Sequence, residues 1–184
     1  MYISFFIKYE KRKGRSSVFA IEKIDANNKE EFYRQLNTYL IGLVEEESYW
    51  LAALSNAAAL LYMLLPDVNW AGFYLYREGE LVLGPFQGKP ACARIPLGKG
   101  VCGTAASTRQ IQVVEDVNLF SGHIVCDPLS RSEIVVPIVK NDRLIGVLDI
   151  DSPYKARFDQ QDAAGLNEFV SILSQYVDWP QEFK

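Results

Sequence analysis

The sequence predicts an α+β domain, a central antiparallel sheet with helices packed on it. Three observations carry that expectation. Residues 29–65 hold two apolar patterns at helical spacing. Residues 69–88 and 133–151 each read as two strand-like runs joined by a short polar turn. A last helical pattern closes the chain over roughly 159–177. Helices before, beside and after hairpins are the layers of an α+β fold rather than of a parallel α/β fold.

Each element has its own signal. In "KEEFYRQLNTYLIGLVEE" (29–46), Phe32, Leu36, Leu40, Leu43 and Val44 fall on one helical face. A second helix is expected from about Ser48, a good N-cap, to Leu65, where Pro66 stops it. Its "WLAALSNAAALLYMLL" is 16 residues long and contains Ser55 and Asn56. A membrane span needs roughly 20 apolar residues, so this is a buried helix. "NWAGFYLYRE" (69–78) alternates, "EGE" turns it, and "LVLGPFQG" (81–88) returns. A short strand follows at 91–95, and Gly98 and Gly100 make a tight turn into a small helix, "VCGTAASTRQ". "IQVVEDV" is a brief strand, and 115–132 is a long polar loop of the kind that often carries function. "EIVVPIVK" and "RLIGVLDID" flank Asn141-Asp142 as a second hairpin.

Length and composition set limits. The chain of 184 residues is 49% hydrophobic and 12% aromatic, enough for one real core. One domain is expected over 28–184, and 1–27 reads as a poorly ordered or loosely docked extension. In "MYISFFIKYEKRKGR" a short apolar run precedes the charges, the reverse of a secretory signal, so a cytoplasmic protein is expected. Residues 1–15 carry five basic residues and one acid. The remainder has 14 basic and 22 acidic residues, a net of −8, which argues against nucleic-acid binding.

There are three cysteines, Cys92, Cys102 and Cys126, and one histidine, His123. No CxxC occurs and one histidine cannot complete a usual zinc site, so no structural metal is expected. No GxSxG occurs, and "GKGVCGT" lacks phosphate-loop spacing. The carboxylates say more. Asp149 and Asp151, two apart at the end of a strand, share one face, with Ile145 and Val147 placed on that face and Leu148 and Ile150 on the other. A hairpin centred on Asn141 and Asp142 pairs Glu133 near residue 150. All three acids then lie at one end of one hairpin. Three close carboxylates repel unless they hold a cation or keep a proton. Cys126 lies in the loop entering that hairpin, and His123 is given no chemistry.

The stretches "NWAGFYL", "LVLGPFQGKPACARIPLGKGVCGTAA", "HIVCD", "SEIVVPI" and "IGVLDIDSP" resemble, in this order, the free methionine-(R)-sulfoxide reductases, a family built on the GAF fold. The resemblance implies that Cys126 is the nucleophile, Cys92 the main resolving cysteine and Cys102 an auxiliary or alternative resolving one, with the order of Cys92 and Cys102 left open. It implies that Trp70 and Tyr74 line the substrate pocket, and that Glu133, Asp149 and Asp151 hold and protonate the substrate. The implied reaction takes free L-methionine-(R)-sulfoxide to methionine through a sulfenic acid and an intramolecular disulfide. Thioredoxin is the expected reductant, no metal or organic cofactor is needed, and a homodimer is expected. The competing expectation is a non-catalytic GAF module that binds a small ligand or senses oxidants.

Overall fold

The computed structural model describes residues 5–10, 16–45 and 47–180. Within the expected extension, strands β1 (Phe5–Glu10) and β2 (Ser16–Ile21) pair antiparallel as a separate two-stranded ribbon. Helix α1 (Lys29–Val44) starts at Asn28, whose side chain accepts from the Glu31 N–H. Helix α2 covers Trp50–Leu64. The N-cap expected at Ser48 is not there: Tyr49 holds that position without a side-chain cap bond. Ser48 instead donates its hydroxyl to Asp178 Oδ2 at 2.7 Å, tying the start of α2 to the end of the domain.

Strands β3 (Trp70–Arg77), β4 (Glu80–Gly88), β5 (Arg94–Pro96), β6 (Gln112–Val114), β7 (Ser132–Lys140) and β8 (Arg143–Ser152) form one antiparallel sheet in the order β5-β4-β3-β8-β7-β6. The β7–β8 hairpin turns on Asn141 and Asp142, both at positive φ as a two-residue turn of the favoured twist requires. Helix α3 (Gly100–Thr108) lies between β5 and β6 in sequence, and α4 (Gln160–Tyr176) closes the fold from an Asp159 capping box.

The sheet is apolar on both faces. One face, with Phe73, Ile134, Val136, Leu148 and Ile150, packs against α1, α2 and α4. The other, with Trp70, Tyr74, Val135 and Val147, packs against α3. The pairing of β7 with β8 slips between Ile138 and Val139, leaving Ile145 as an extra residue in β8. Two sequence expectations change as a result. Ile145 joins Leu148 and Ile150 in the first core instead of sharing a face with the aspartates. Glu133 stands opposite Asp151, one residue beyond the place a regular hairpin gives it.

The α1–α4 contact is close. Buried Asp162 accepts from Tyr33 Oη at 2.8 Å, from Arg157 Nη1 at 3.3 Å and from Lys29 Nζ. The Tyr33 ring lies over Gly165, where an added Cβ would sit 2.1 Å from ring Cγ. Gly165→Ala is therefore expected to lower the unfolding free energy by about 2 kcal/mol through overpacking. That outweighs the roughly 1 kcal/mol that alanine gains in helix propensity. Urea denaturation would show the loss as a lower midpoint at unchanged slope. An unchanged midpoint would mean that α1 and α4 are not so closely apposed.

Candidate active site

The β7–β8 register builds the site. Glu133 is paired with Asp151 and Val135 with Asp149, so all three acids point from one sheet face at one end of the hairpin. That face is covered by α3 and by the loop leading to β7. Glu133 and Asp149 are each only 6% exposed. Cys102, from the first turn of α3, is buried beside them, and its Sγ donates to Glu133 Oε1 at 3.8 Å. Donor atoms of Cys102, Glu133 and Asp149 lie within 4.8 Å of one another, close enough to share one small cation. Asp149 Oδ1 is buried without a hydrogen-bond partner. A buried acceptor of that kind marks a place where a donor is missing.

Burial is the main cause of every shift in this cluster. It holds the Glu133 carboxyl well above the usual range, helped by the charges of Asp149 and Asp151. It raises Asp151 likewise, with Asp149 and Asp127 adding to the effect. Asp149 rises to about 6, because hydrogen bonds from Cys102 and Glu133 offset part of its burial. Burial and the neighbouring carboxylates also push the Cys102 thiol up, so it is a neutral donor. Burial, more than the mutual repulsion expected from the sequence, thus holds the Glu133 and Asp151 carboxyls well above their usual range.

A disulfide joins Cys92 and Cys126, with Cα atoms 5.6 Å apart. Cys102 is the free cysteine. Cys126, Cys102, Glu133, Asp149 and Asp151 all line one small cavity, together with His123, Asp127 and Ser130. Burial lowers the His123 pKa and leaves its ring neutral. The first turn of α3 forms another wall. Gly100, at φ 62°, begins that turn, and the N-cap Lys99 makes no side-chain cap bond. The helix N-terminus therefore stays free for a ligand.

Trp70 and Tyr74 are close by but are not among the residues that line this cavity. They stack with centroids 5.8 Å apart, and Phe86 stacks on Trp70 at 5.4 Å. Their polar ends point to the segment carrying Cys92. Trp70 Nε1 donates to Lys89 O at 3.1 Å and Tyr74 Oη donates to Cys92 O at 3.0 Å. In this disulfide state both aromatics act as struts under that segment.

Sequence reasoning missed Asn69, Lys89 and Asp127. Asp127 accepts from Lys89 Nζ at 3.3 Å and from Asn69 Nδ2 at 3.3 Å. The available signal was an acid directly after Cys126 and a lysine three residues before Cys92, but nothing in the pattern says that they meet.

The comparisons with known proteins fit this geometry. The family model described as GAF domain matches residues 50–177, which defines the class of the fold. Free methionine-R-sulfoxide reductase of Escherichia coli (strain K12) is 54% identical over 150 residues, covering 82% of this chain and 91% of that one. The structure of fRMsr of Staphylococcus aureus in complex with substrate superposes with a TM-score of 0.77 at 51% identity, over 85% of this chain and 99% of the other. The structure of free methionine-R-sulfoxide reductase from Neisseria meningitidis with its substrate gives 0.80 at 45% identity, over 83% and 92%. The chain belongs to the GAF-domain family and, within it, to the free methionine-(R)-sulfoxide reductases.

Asp149 gives a test of the site electrostatics. An unfolded aspartate loses its proton near 3.8, the folded one near 6. Stability tied to that proton is intact below about pH 4 and lost as pH rises through 6. Relative to wild type, Asp149→Asn is expected to gain roughly 2 kcal/mol between pH 4 and pH 7. Urea denaturation at the two pH values measures it, and an equal difference at both would show an ordinary carboxyl.

Proposed function

We propose that the chain reduces free L-methionine-(R)-sulfoxide to methionine, with Cys126 as nucleophile, Cys92 as resolving thiol and thioredoxin as reductant. The observation that carries this reading is a Cys92–Cys126 disulfide whose Cys126 lines the same small cavity as the buried acid cluster. Each part matches a need of the reaction. The Cys126 sulfur attacks the sulfoxide sulfur, and a carboxyl of the cluster protonates the sulfoxide oxygen. That oxygen passes to Cys126 as a sulfenic acid, and the sulfoxide sulfur, reduced by two electrons, leaves as methionine. The Cys92 thiol then displaces water from Cys126 and forms the disulfide. A dithiol reductant reopens it by exchange.

The site also suits a free amino acid. Its ammonium can satisfy the unpartnered Asp149 Oδ1 and the charge of the cluster. Its carboxylate can rest on the uncapped first turn of α3. A residue within a peptide has neither charge. In the disulfide state the cavity is about 30 Å³, room for about one water. Reduction therefore precedes substrate entry, which gives the alternating half-reactions of a ping-pong cycle.

Two outcomes are expected. NADPH consumption coupled through thioredoxin and its reductase should continue with each addition of the free R-sulfoxide, and Cys126→Ser should abolish it. A single oxidation without further turnover would favour an oxidant-sensing module instead. Peptide-bound methionine sulfoxide should show a kcat/KM at least about a hundredfold lower, because it leaves the acids unpaired. Equal activity on both substrates would sink the ammonium assignment.

A further inference from the structure

The disulfide is not the only link between the two segments that carry its cysteines. Lys89 lies three residues before Cys92, and Asp127 directly follows Cys126. Lys89 Nζ stands 3.2 Å from Asp127 Oδ2 and 3.3 Å from Oδ1. Each partner is anchored from the sheet. The Asp127 carboxylate accepts from the Leu129 N–H at 3.0 Å and from Asn69 Nδ2 at 3.3 Å. Asn69 also donates to Ser130 Oγ at 3.1 Å, and its backbone N–H donates to Asp151 O at 3.0 Å. On the other side, Trp70 and Tyr74 hold the carbonyls of Lys89 and Cys92. The ion pair closes this frame between the two cysteine-bearing segments.

Stability does not explain the pair. The Lys89 side chain is 58% exposed, and such a pair contributes little to folding. Its placement matters more. Cys92 and Cys126 are 34 residues apart, on segments outside regular strands, so their encounter depends on how those segments are held.

We infer that Lys89 and Asp127 are positioning residues for the resolving step. Their ion pair holds the Cys92 segment against the Cys126 loop while Cys126 is a sulfenic acid. In that step the Cys92 sulfur attacks the Cys126 sulfur, the S–S bond forms and the Cys126 S–O bond breaks. The oxygen takes the Cys92 proton and leaves as water, and no further reactant is needed. The ion pair touches neither sulfur and acts by raising the effective concentration of one thiol at the other. This rests on the assignment of Cys126 and Cys92 above, and extends it by naming what sets the rate of disulfide closure.

The test uses the reduced full chain and one equivalent of hydrogen peroxide, which makes the Cys126 sulfenic acid without any sulfoxide. Samples are trapped over time with dimedone, a carbon nucleophile selective for sulfenic acids, and weighed by mass spectrometry. Lys89→Met keeps the apolar stem at an exposed position. It is expected to lengthen the sulfenic acid lifetime by roughly tenfold while the rate of thiol oxidation stays unchanged. Lys89→Arg should restore the wild-type lifetime. Asp127→Asn added to Lys89→Met should change it by less than about twofold, since the partner is already gone. Closure of Lys89→Met at the wild-type rate, or failure of Lys89→Arg to restore it, overturns the proposal. A wild-type sulfenic acid that never closes would instead overturn Cys92 as the resolving thiol.

Discussion

One extra residue in β8 decides where the chemistry sits. Side chains alternate along a strand, so a slip of one residue sends every following side chain to the opposite face. A regular hairpin around Asn141 and Asp142 would pair Glu133 with Ile150, whose side chain lies in the helix-covered core. The bulge at Ile145 shifts the register, and Glu133 meets Asp151. The same shift turns Ile145 into the first core, so the bulge loses no apolar burial. Glu133, Asp149 and Asp151 then share a face beneath α3, and everything else at the site is built on that face.

The cluster opposes folding at neutral pH, because burial holds its carboxyls above their ordinary range. A carboxyl keeps its proton near neutral pH only when burial disfavours its charge, since an exposed one would give it up. Cys102 fits the same logic. As a buried neutral thiol it donates to Glu133 without adding charge. That geometry places it within the acid cluster, while the disulfide joins the other two cysteines.

Much of this was legible in the residues. Both hairpins, α1, α3 and α4 follow from periodicity and turn chemistry, and the aspartate pair follows from a spacing of two. What was not legible has physical reasons. Ser48 suits an N-cap by residue type, but Asp178, 130 residues away, takes its hydroxyl. The bulge leaves no mark in a run where both faces are apolar, because alternation carries no information there. The pairing of Lys89 with Asp127 spans 38 residues between irregular segments, and no local pattern encodes such a contact.

In this disulfide state the two aromatic residues support the Cys92 segment and do not line the small cavity. Trp70 and Tyr74 were expected as pocket walls, and the structure gives each an apolar body in the second core and a polar tip on a backbone carbonyl. Those two carbonyls belong to Lys89 and Cys92, so β3 fixes the height of the Cys92 segment over the sheet. Phe86 stacked on Trp70 extends the platform to β4. Rigid rings suit this task, because they hold a donor in place with few rotatable bonds. The burial of Tyr74 and the acids beneath it both raise its pKa, so its hydroxyl stays protonated and remains a donor.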